Sequence, residues 1–379
     1  MGGLHLRGGR VLTPQGLRQT GLTVQEGKIA AFEDGAPDGL DVSGCLVLPG
    51  FLDLHTHGGG GVDVNGADAD GLRTIGRFFA SQGVTGWQCS VLTDTPEQTL
   101  WCIGQARQVI ESRPEGAALL GIHLEGPCLS PEYKGAMPER LLMKKAEPAL
   151  FARYQQAAGG HITYVTVSPE VEGTAELIPA LREMGITVAI GHSGATYDQA
   201  MACIGAGAQA ATHTANAMRL FHQHEPAVLG AVLETDVWCE AICDGLHLHP
   251  GAVRLILKAK GWDRVVAITD SIMAAGLPDG RYKLGVNDVE VVNGDAKLAG
   301  GGARAGSTLT MARALQNLVR FTDRPAWEVC RLMTANPAAL MGWKSKGTIA
   351  PGMDGDLTVL DGELRVRYTV VGGQIVYGA

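Results

Sequence analysis

The sequence predicts an α/β fold: a (β/α)8 TIM-type barrel with a small β-sandwich-like domain formed by both chain ends. Three observations predict it. Short apolar runs recur eight times through the middle of the chain, with segments of helical periodicity between them. Both ends instead show short alternating runs broken by glycine and proline. Hydrophobic residues make up 45% of the chain but aromatic residues only 5%, so the core is Ala, Val, Leu and Ile, as suits a parallel sheet covered by helices. A doubly wound sheet is the competing layout, and no G-x-G-x-x-G follows a first strand to support it.

Taken in order, residues 4–33 hold "LHLRGGRVL" and "GLTVQEGKIAAF", which read as antiparallel strands. "GTIAPGMDGDLTVLDG" and "RVRYTVVGGQIVYG" read the same way near the C-terminus. The expected division is therefore 1–48 plus 345–379 as a small β domain, and 49–344 as the barrel. The barrel runs are "CLVLPGFLDLHTH", "VTGWQCSVL" (84–92), "ALLGIHLEG" (118–126), "ITYVTVSPE" (162–170), "ITVAIGHS" (186–193), "AQAATHT" (208–214), "VWCEAICDG" (237–245) and "RVVAITDS" (264–271). Helical patterns fall at 69–82, 96–112, 139–158, 174–184, 196–205 and 250–260. A hairpin insertion at 281–298 and a helix over 307–321 follow the eighth run.

Formal net charge is −8 and no long basic run occurs, which argues against nucleic acid and anionic membrane surfaces as partners. No segment of 18 uninterrupted apolar residues predicts a membrane-spanning helix, and the N-terminus lacks the apolar core of a signal peptide. The eight cysteines include no C-x-x-C pair and read as reduced, mostly buried thiols of a cytoplasmic protein.

Active sites of such barrels lie at the C-terminal ends of the strands. The first run ends in His55 and His57, which alternation places on one side of the strand, ahead of four glycines that permit a tight turn and a close-fitting loop over the mouth. The third ends in Glu125, the fifth in His192, the sixth in His213 and the eighth in Asp270; the seventh runs into Asp244 and His247. Imidazole and carboxylate without thiolate suit a divalent transition metal, Zn or Fe, in an open catalytic site. Glu125 could bridge two ions, and Asp270 could ligate or act as a base. His123, two residues before Glu125, faces the same way and serves packing as readily as ligation.

The motifs "PGFLDLHTHG", "GIHLEGP", "GHSGAT", "THTANAM", "DGLHLHP", "ITDS" and "AGSTLTM", in that order, resemble the N-acetylglucosamine-6-phosphate deacetylases of the amidohydrolase superfamily. The resemblance runs from about Leu46 to Asp356. It implies that Glu125, His192 and His213 are the main metal ligands, that His55 and His57 form a second-metal pair, and that Asp270 is the catalytic acid/base. It further implies one or two metals per subunit, a homodimer, and a small amino-sugar substrate. Asn216, Ala217 and His247, and the backbone around Arg304, Ala305 and Gly306, match sugar-binding positions.

Departures from the family pattern fall around the expected sugar. After "KGA", where Ala136 belongs to the substrate segment, Met137 replaces the usual His or Gln. His224 stands where the family usually has an arginine for the sugar phosphate, and Arg219 and Arg304 are additional charges. Arg304 is therefore expected to take over the phosphate, assisted by His247 and His224. Competing functions are other amidohydrolases, such as a dihydroorotase, an N-acyl amino acid deacylase or a deacetylase of another amino sugar, and a metal-free scaffold. No Lys ends a barrel strand, where cyclic amidases place a carbamylated one, and the retained ligand set argues against a scaffold.

Overall fold

The computed structural model describes residues 3–33 and 38–378. Eight parallel strands follow one another around the barrel: β1 (Phe51–Asp53), β2 (Val84–Leu92), β3 (Ala118–Glu125), β4 (Ile162–Val167), β5 (Thr187–Ile190), β6 (Ala210–Ala211), β7 (Trp238–Ile242) and β8 (Val265–Ile268). Each pairs with the next in parallel register. The seam between β8 and β1 closes just past the strand ends, where Asp270 N donates to His55 O at 2.9 Å and His57 N to Ser271 O at 2.7 Å. Buried Asp53 fastens the same seam, its carboxylate accepting from Thr269 Oγ1 at 2.6 Å. No helix is long and apolar enough to cross a membrane among the described residues.

Both chain ends build the second body. One sheet of six strands sets Leu46–Pro49 between Leu357–Leu360 and Arg10–Thr13, and a four-stranded sheet sets Leu4–Arg7 beside Leu22–Gln25. Leu6, Val11, Leu22, Val24, Val47, Leu357 and Val359 form their shared core.

Several elements differ from the sequence expectation for local reasons. The run at 46–54 is two strands in two sheets, split at Gly50, where a Cβ would lie 2.1 Å from Thr85 Oγ1. The helix expected over 139–158 is a single turn at Glu139–Leu141 and a helix only from Pro148 to Ala157, because Pro148 suits a first turn but not an interior. The last barrel helix begins at Met311 under a Thr310 cap, since Ser307 is committed to Asp270 O and Thr269 O. A further helix, Ala227–Glu234, lies between β6 and β7. The insertion is a three-stranded sheet over Gly280–Leu298 that packs beside the mouth.

Candidate active site

Each of the four strand-end histidines has a defined tether. His57 Nδ1 faces Ser90 O at 2.9 Å, His192 Nδ1 faces Tyr133 O at 2.8 Å, and His213 Nδ1 faces Asn216 O at 3.2 Å. His55 Nδ1 faces a carboxylate, Glu240 Oε2, at 3.1 Å. Carbonyl and carboxylate oxygens only accept, so each Nδ1 carries the proton and each Nε2 of a neutral ring presents a lone pair.

Those four Nε2 atoms converge. His55 and His57 approach to 3.2 Å and His192 and His213 to 3.0 Å. Glu125 lies between the pairs, with Oε2 3.1 Å from His57 and Oε1 3.0 Å from His192 and 3.2 Å from His213. Facing lone pairs repel unless something positive sits between them. Donors roughly 2.0–2.2 Å from one tetrahedral ion lie about 3.3 Å apart, which matches these spacings. The residues fit a metal centre with two candidate groups, His55–His57–Glu125 and Glu125–His192–His213, joined by the shared carboxylate.

The electrostatics agree. Burial opposes a charge on His57, but the Asp270 and Glu125 carboxylates outweigh it and raise its pKa to about 9, so the site demands positive charge there. Burial likewise works against the Asp270 carboxylate, yet the facing His55 and His57 hold its pKa below the ordinary value. Asp270 Oδ1 is 3.2 Å from His57 Nε2.

Backbone strain collects at the same residues. His192, His213 and Asp270 all have positive φ, at 48°, 29° and 50°. Such residues cost on the order of 1–3 kcal/mol each and persist only when surroundings impose them. Glu170 imposes the turn after His192 by accepting from Ser193 Oγ at 2.8 Å and Gly194 N at 2.6 Å. Glu240 accepts from His213 N at 3.0 Å.

Above the donors opens a cavity of about 370 Å3, lined by His57, Glu125, His192, His213 and Asp270, with Ala136, Met137, Asn216, Ala217, His247, Arg304 and Gly306 among its other walls. A larger cavity of about 690 Å3 sits against the terminal sheets near Trp262 and Trp327, with none of the convergent donors in its lining. Met137 is buried among Leu284, Val289 and Val291 of the insertion. Asp244 lies outside the cavity lining and holds His247 Nδ1 at 2.6 Å. Ala305 is buried and its amide is spent on Ala296 O. His224 is exposed on a loop outside the lining, and Arg219 is also absent from it. Arg304 pairs with Asp295 through Nε at 2.8 Å and Nη2 at 3.1 Å, leaving Nη1 outside that fork.

His123 joins neither donor group. Its nitrogens are taken by Ser90 Oγ and Thr166 Oγ1, both at 2.8 Å, and burial with nearby His55 pushes its pKa well down. The four glycines do not cover the cavity either. Gly58 and Gly59 pair back with Val62 and Asp63, and Gly60 and Gly61 donate to Ala275 and Met273. A Cβ on Gly59 would lie 2.6 Å from Phe78, so these glycines permit close packing beside His57. Sequence reasoning missed Asp53 and Glu240. The available signal was an acid inside an otherwise apolar strand, in "FLDLH" and "WCEAI".

A barrel with a mixed imidazole–carboxylate centre at its mouth defines a class of metal-dependent hydrolases. The chain belongs to the amidohydrolase family, whose model matches residues 46–376. The N-acetylglucosamine-6-phosphate deacetylase of Lysinibacillus sphaericus is 32% identical over 362 residues, 94% of this chain and 93% of that protein. The N-acetylgalactosamine-6-phosphate deacetylase of Escherichia coli O157:H7 is 34% identical over 373 residues, 98% of each. A variant of the Mycobacterium smegmatis N-acetyl-D-glucosamine-6-phosphate deacetylase, solved with N-acetyl-D-glucosamine-6-phosphate, superposes with a TM-score of 0.93 at 35% identity, covering 99% of this chain and 100% of that one.

Proposed function

We propose that the protein hydrolyses the acetamide of N-acetyl-D-glucosamine 6-phosphate to glucosamine 6-phosphate and acetate. The observation that carries this reading is the pair of donor groups sharing Glu125, with ionised Asp270 beside them in a sugar-sized cavity. Glu125, His192 and His213 would hold one ion and His55, His57 and Glu125 a second, Zn or Fe by the chemistry of the donor set. When bound, the metal supplies Lewis acidity toward the amide carbonyl and lowers the pKa of water. Asp270 takes the proton of the attacking water. The same carboxyl then gives that proton to the departing nitrogen, so one group serves as base and then acid. His247, oriented by Asp244 through Nδ1, lines the cavity with Nε2 available to accept from a sugar hydroxyl.

Arg304 is the proposed phosphate contact. It stands at the cavity wall, and the Nη1 group outside its Asp295 fork can meet a phosphate oxygen. The expected homodimer belongs to the same reading, supported by exposed Leu220 and Phe221 on the His224 loop. A cytoplasmic location is supported by the eight cysteines, all of them unpaired.

A second reading follows from the relatives: an N-acetylgalactosamine-6-phosphate deacetylase is as similar as the N-acetylglucosamine-6-phosphate deacetylases. Acetate release measured on both N-acetylhexosamines, each with and without the 6-phosphate, tests both. The proposal expects N-acetylglucosamine 6-phosphate to have the highest kcat/KM. A preference of about tenfold or more for N-acetylgalactosamine 6-phosphate establishes the second reading. Equal rates with and without phosphate eliminate phosphate recognition.

A further inference from the structure

Glu240 has no part in the proposed proton transfers, yet it lies directly behind the donors. It sits within β7, fully buried, and points into the barrel. One of its oxygens, Oε2, meets His55 Nδ1 at 3.1 Å and accepts from His213 N at 3.0 Å. The two contacts belong to different donor groups, since His55 pairs with His57 and Glu125 while His213 pairs with Glu125 and His192. Its other oxygen is buried without a hydrogen-bond partner and faces Tyr164, whose hydroxyl is also buried and whose pKa is pushed well up by burial and by the Glu240 charge.

A buried carboxylate is costly, and an amide or hydroxyl would serve the His213 backbone as well. The His55 contact is what a carboxylate does better. An imidazole that donates its Nδ1–H to a carboxylate is held in one orientation and becomes more basic at Nε2. The other three rings donate only to neutral carbonyls, so His55 alone is supported by an acid. Its ion-pair contacts put Nε2 3.4 Å from Glu125 Oε1 and 3.5 Å from Asp270 Oδ1, so any rotation of this ring disturbs both.

We propose that Glu240 is a positioning residue for the metal centre: through His55 it aims and strengthens the His55–His57–Glu125 position, and through the His213 backbone it ties that position to its neighbour. This rests on the metal-binding reading of the site. Glu240 touches neither substrate nor the reacting atoms, so its influence is read in metal affinity before activity.

The experiment compares wild type, Glu240→Gln and Glu240→Ala by metal content after equilibration at graded free Zn2+, and by visible absorption of the Co2+-loaded proteins. Glu240→Gln keeps an oxygen that can accept from both His55 and His213 but removes the charge. It should weaken the His55–His57–Glu125 position by about tenfold, with the melting temperature of the metal-free protein preserved. Glu240→Ala should weaken it by about 100-fold or more and alter the Co2+ spectrum, while the Glu125–His192–His213 position stays filled. His55→Ala in parallel identifies which transition belongs to which position. If the Ala variant does not fold, the Gln variant decides alone. Wild-type affinity in Glu240→Gln, with or without wild-type behaviour in Glu240→Ala, overturns the proposal. A wild-type protein that binds no metal overturns the metal-binding reading as well, so the two failures are distinguishable.

Discussion

Two clusters of buried and half-buried acids in this protein behave oppositely. Where the terminal sheets join the barrel, Asp354 and Asp356 face Lys346 at 3.0 and 2.6 Å, and Lys28 also reaches Asp354. Asp356 adds a bond from Gly372 N, and its carbonyl takes Gly50 N at 2.9 Å. Each acid there has its cation, and the network fastens both chain ends to the start of the barrel. At the mouth, the ion-pair partners of Glu125, Asp270 and Glu240 are all imidazoles, and among the described residues no Lys or Arg forms an ion pair with them. The first cluster is electrostatically complete and holds the fold. The second is paired with imidazoles that can themselves ligate, and is therefore a place for a cationic ligand. The difference teaches that the pairing of acids, more than their number, separates a structural network from a reactive centre.

The strongest way to break this contrast is to remove the ion or the carboxylate that both donor groups share. Chelation should abolish activity, and Glu125→Gln should lose most bound metal along with it, because an anionic ligand is replaced by a neutral one. Elemental analysis beside an acetate-release assay checks this. Full metal content and full activity in Glu125→Gln would make the mouth a second structural network.

Asp270→Asn should sharpen the contrast within the mouth itself. It removes the acid/base while preserving shape, so kcat should fall by roughly 10²–10⁴-fold with much smaller changes in KM and metal content. Turnover near wild type would mean that another group moves the proton.

A smaller effect is expected at the cavity wall. Arg304→Ala should raise KM for the phosphorylated sugar by about one to two orders of magnitude, the equivalent of about 1.5–3 kcal/mol for a charged hydrogen bond. The unphosphorylated sugar should be nearly unaffected. Equal changes for both sugars would assign Arg304 to its Asp295 pair alone.

The smallest effect on catalysis belongs to the complete cluster. Lys346→Met should lower stability by about 1–3 kcal/mol in denaturant unfolding and leave kcat/KM unchanged. The pH dependence has a definite sign. Burial works against the Asp354 carboxylate, but Lys28 and Lys346 hold its pKa below the ordinary value. Its contribution is thus present above the unfolded carboxylate pKa of about 3.9 and is lost as pH falls through the folded value. The Lys346→Met protein should show a shallower stability loss in acid than wild type.

What the sequence determined by itself was everything carried by short-range periodicity. Apolar runs alternating with helical segments identify the barrel, because burial on both faces of a parallel strand demands a continuous apolar run. His55, His57, Glu125, His192, His213 and Asp270 were legible because each ends such a run, where a barrel exposes its strand tips. Long-range closure was decided only by tertiary structure. Glu240 acquires its role from His55, 185 residues away across the barrel, a contact that no spacing encodes. The glycines after His57 pack beside the centre because Phe78 and the 273–276 segment come to meet them. The break at Gly50 exists because Thr85 occupies the space a side chain would need. His224 and Ala305 fall outside the reachable wall for the same kind of reason: a motif position states which residue is near, while packing decides which of its atoms still face the cavity.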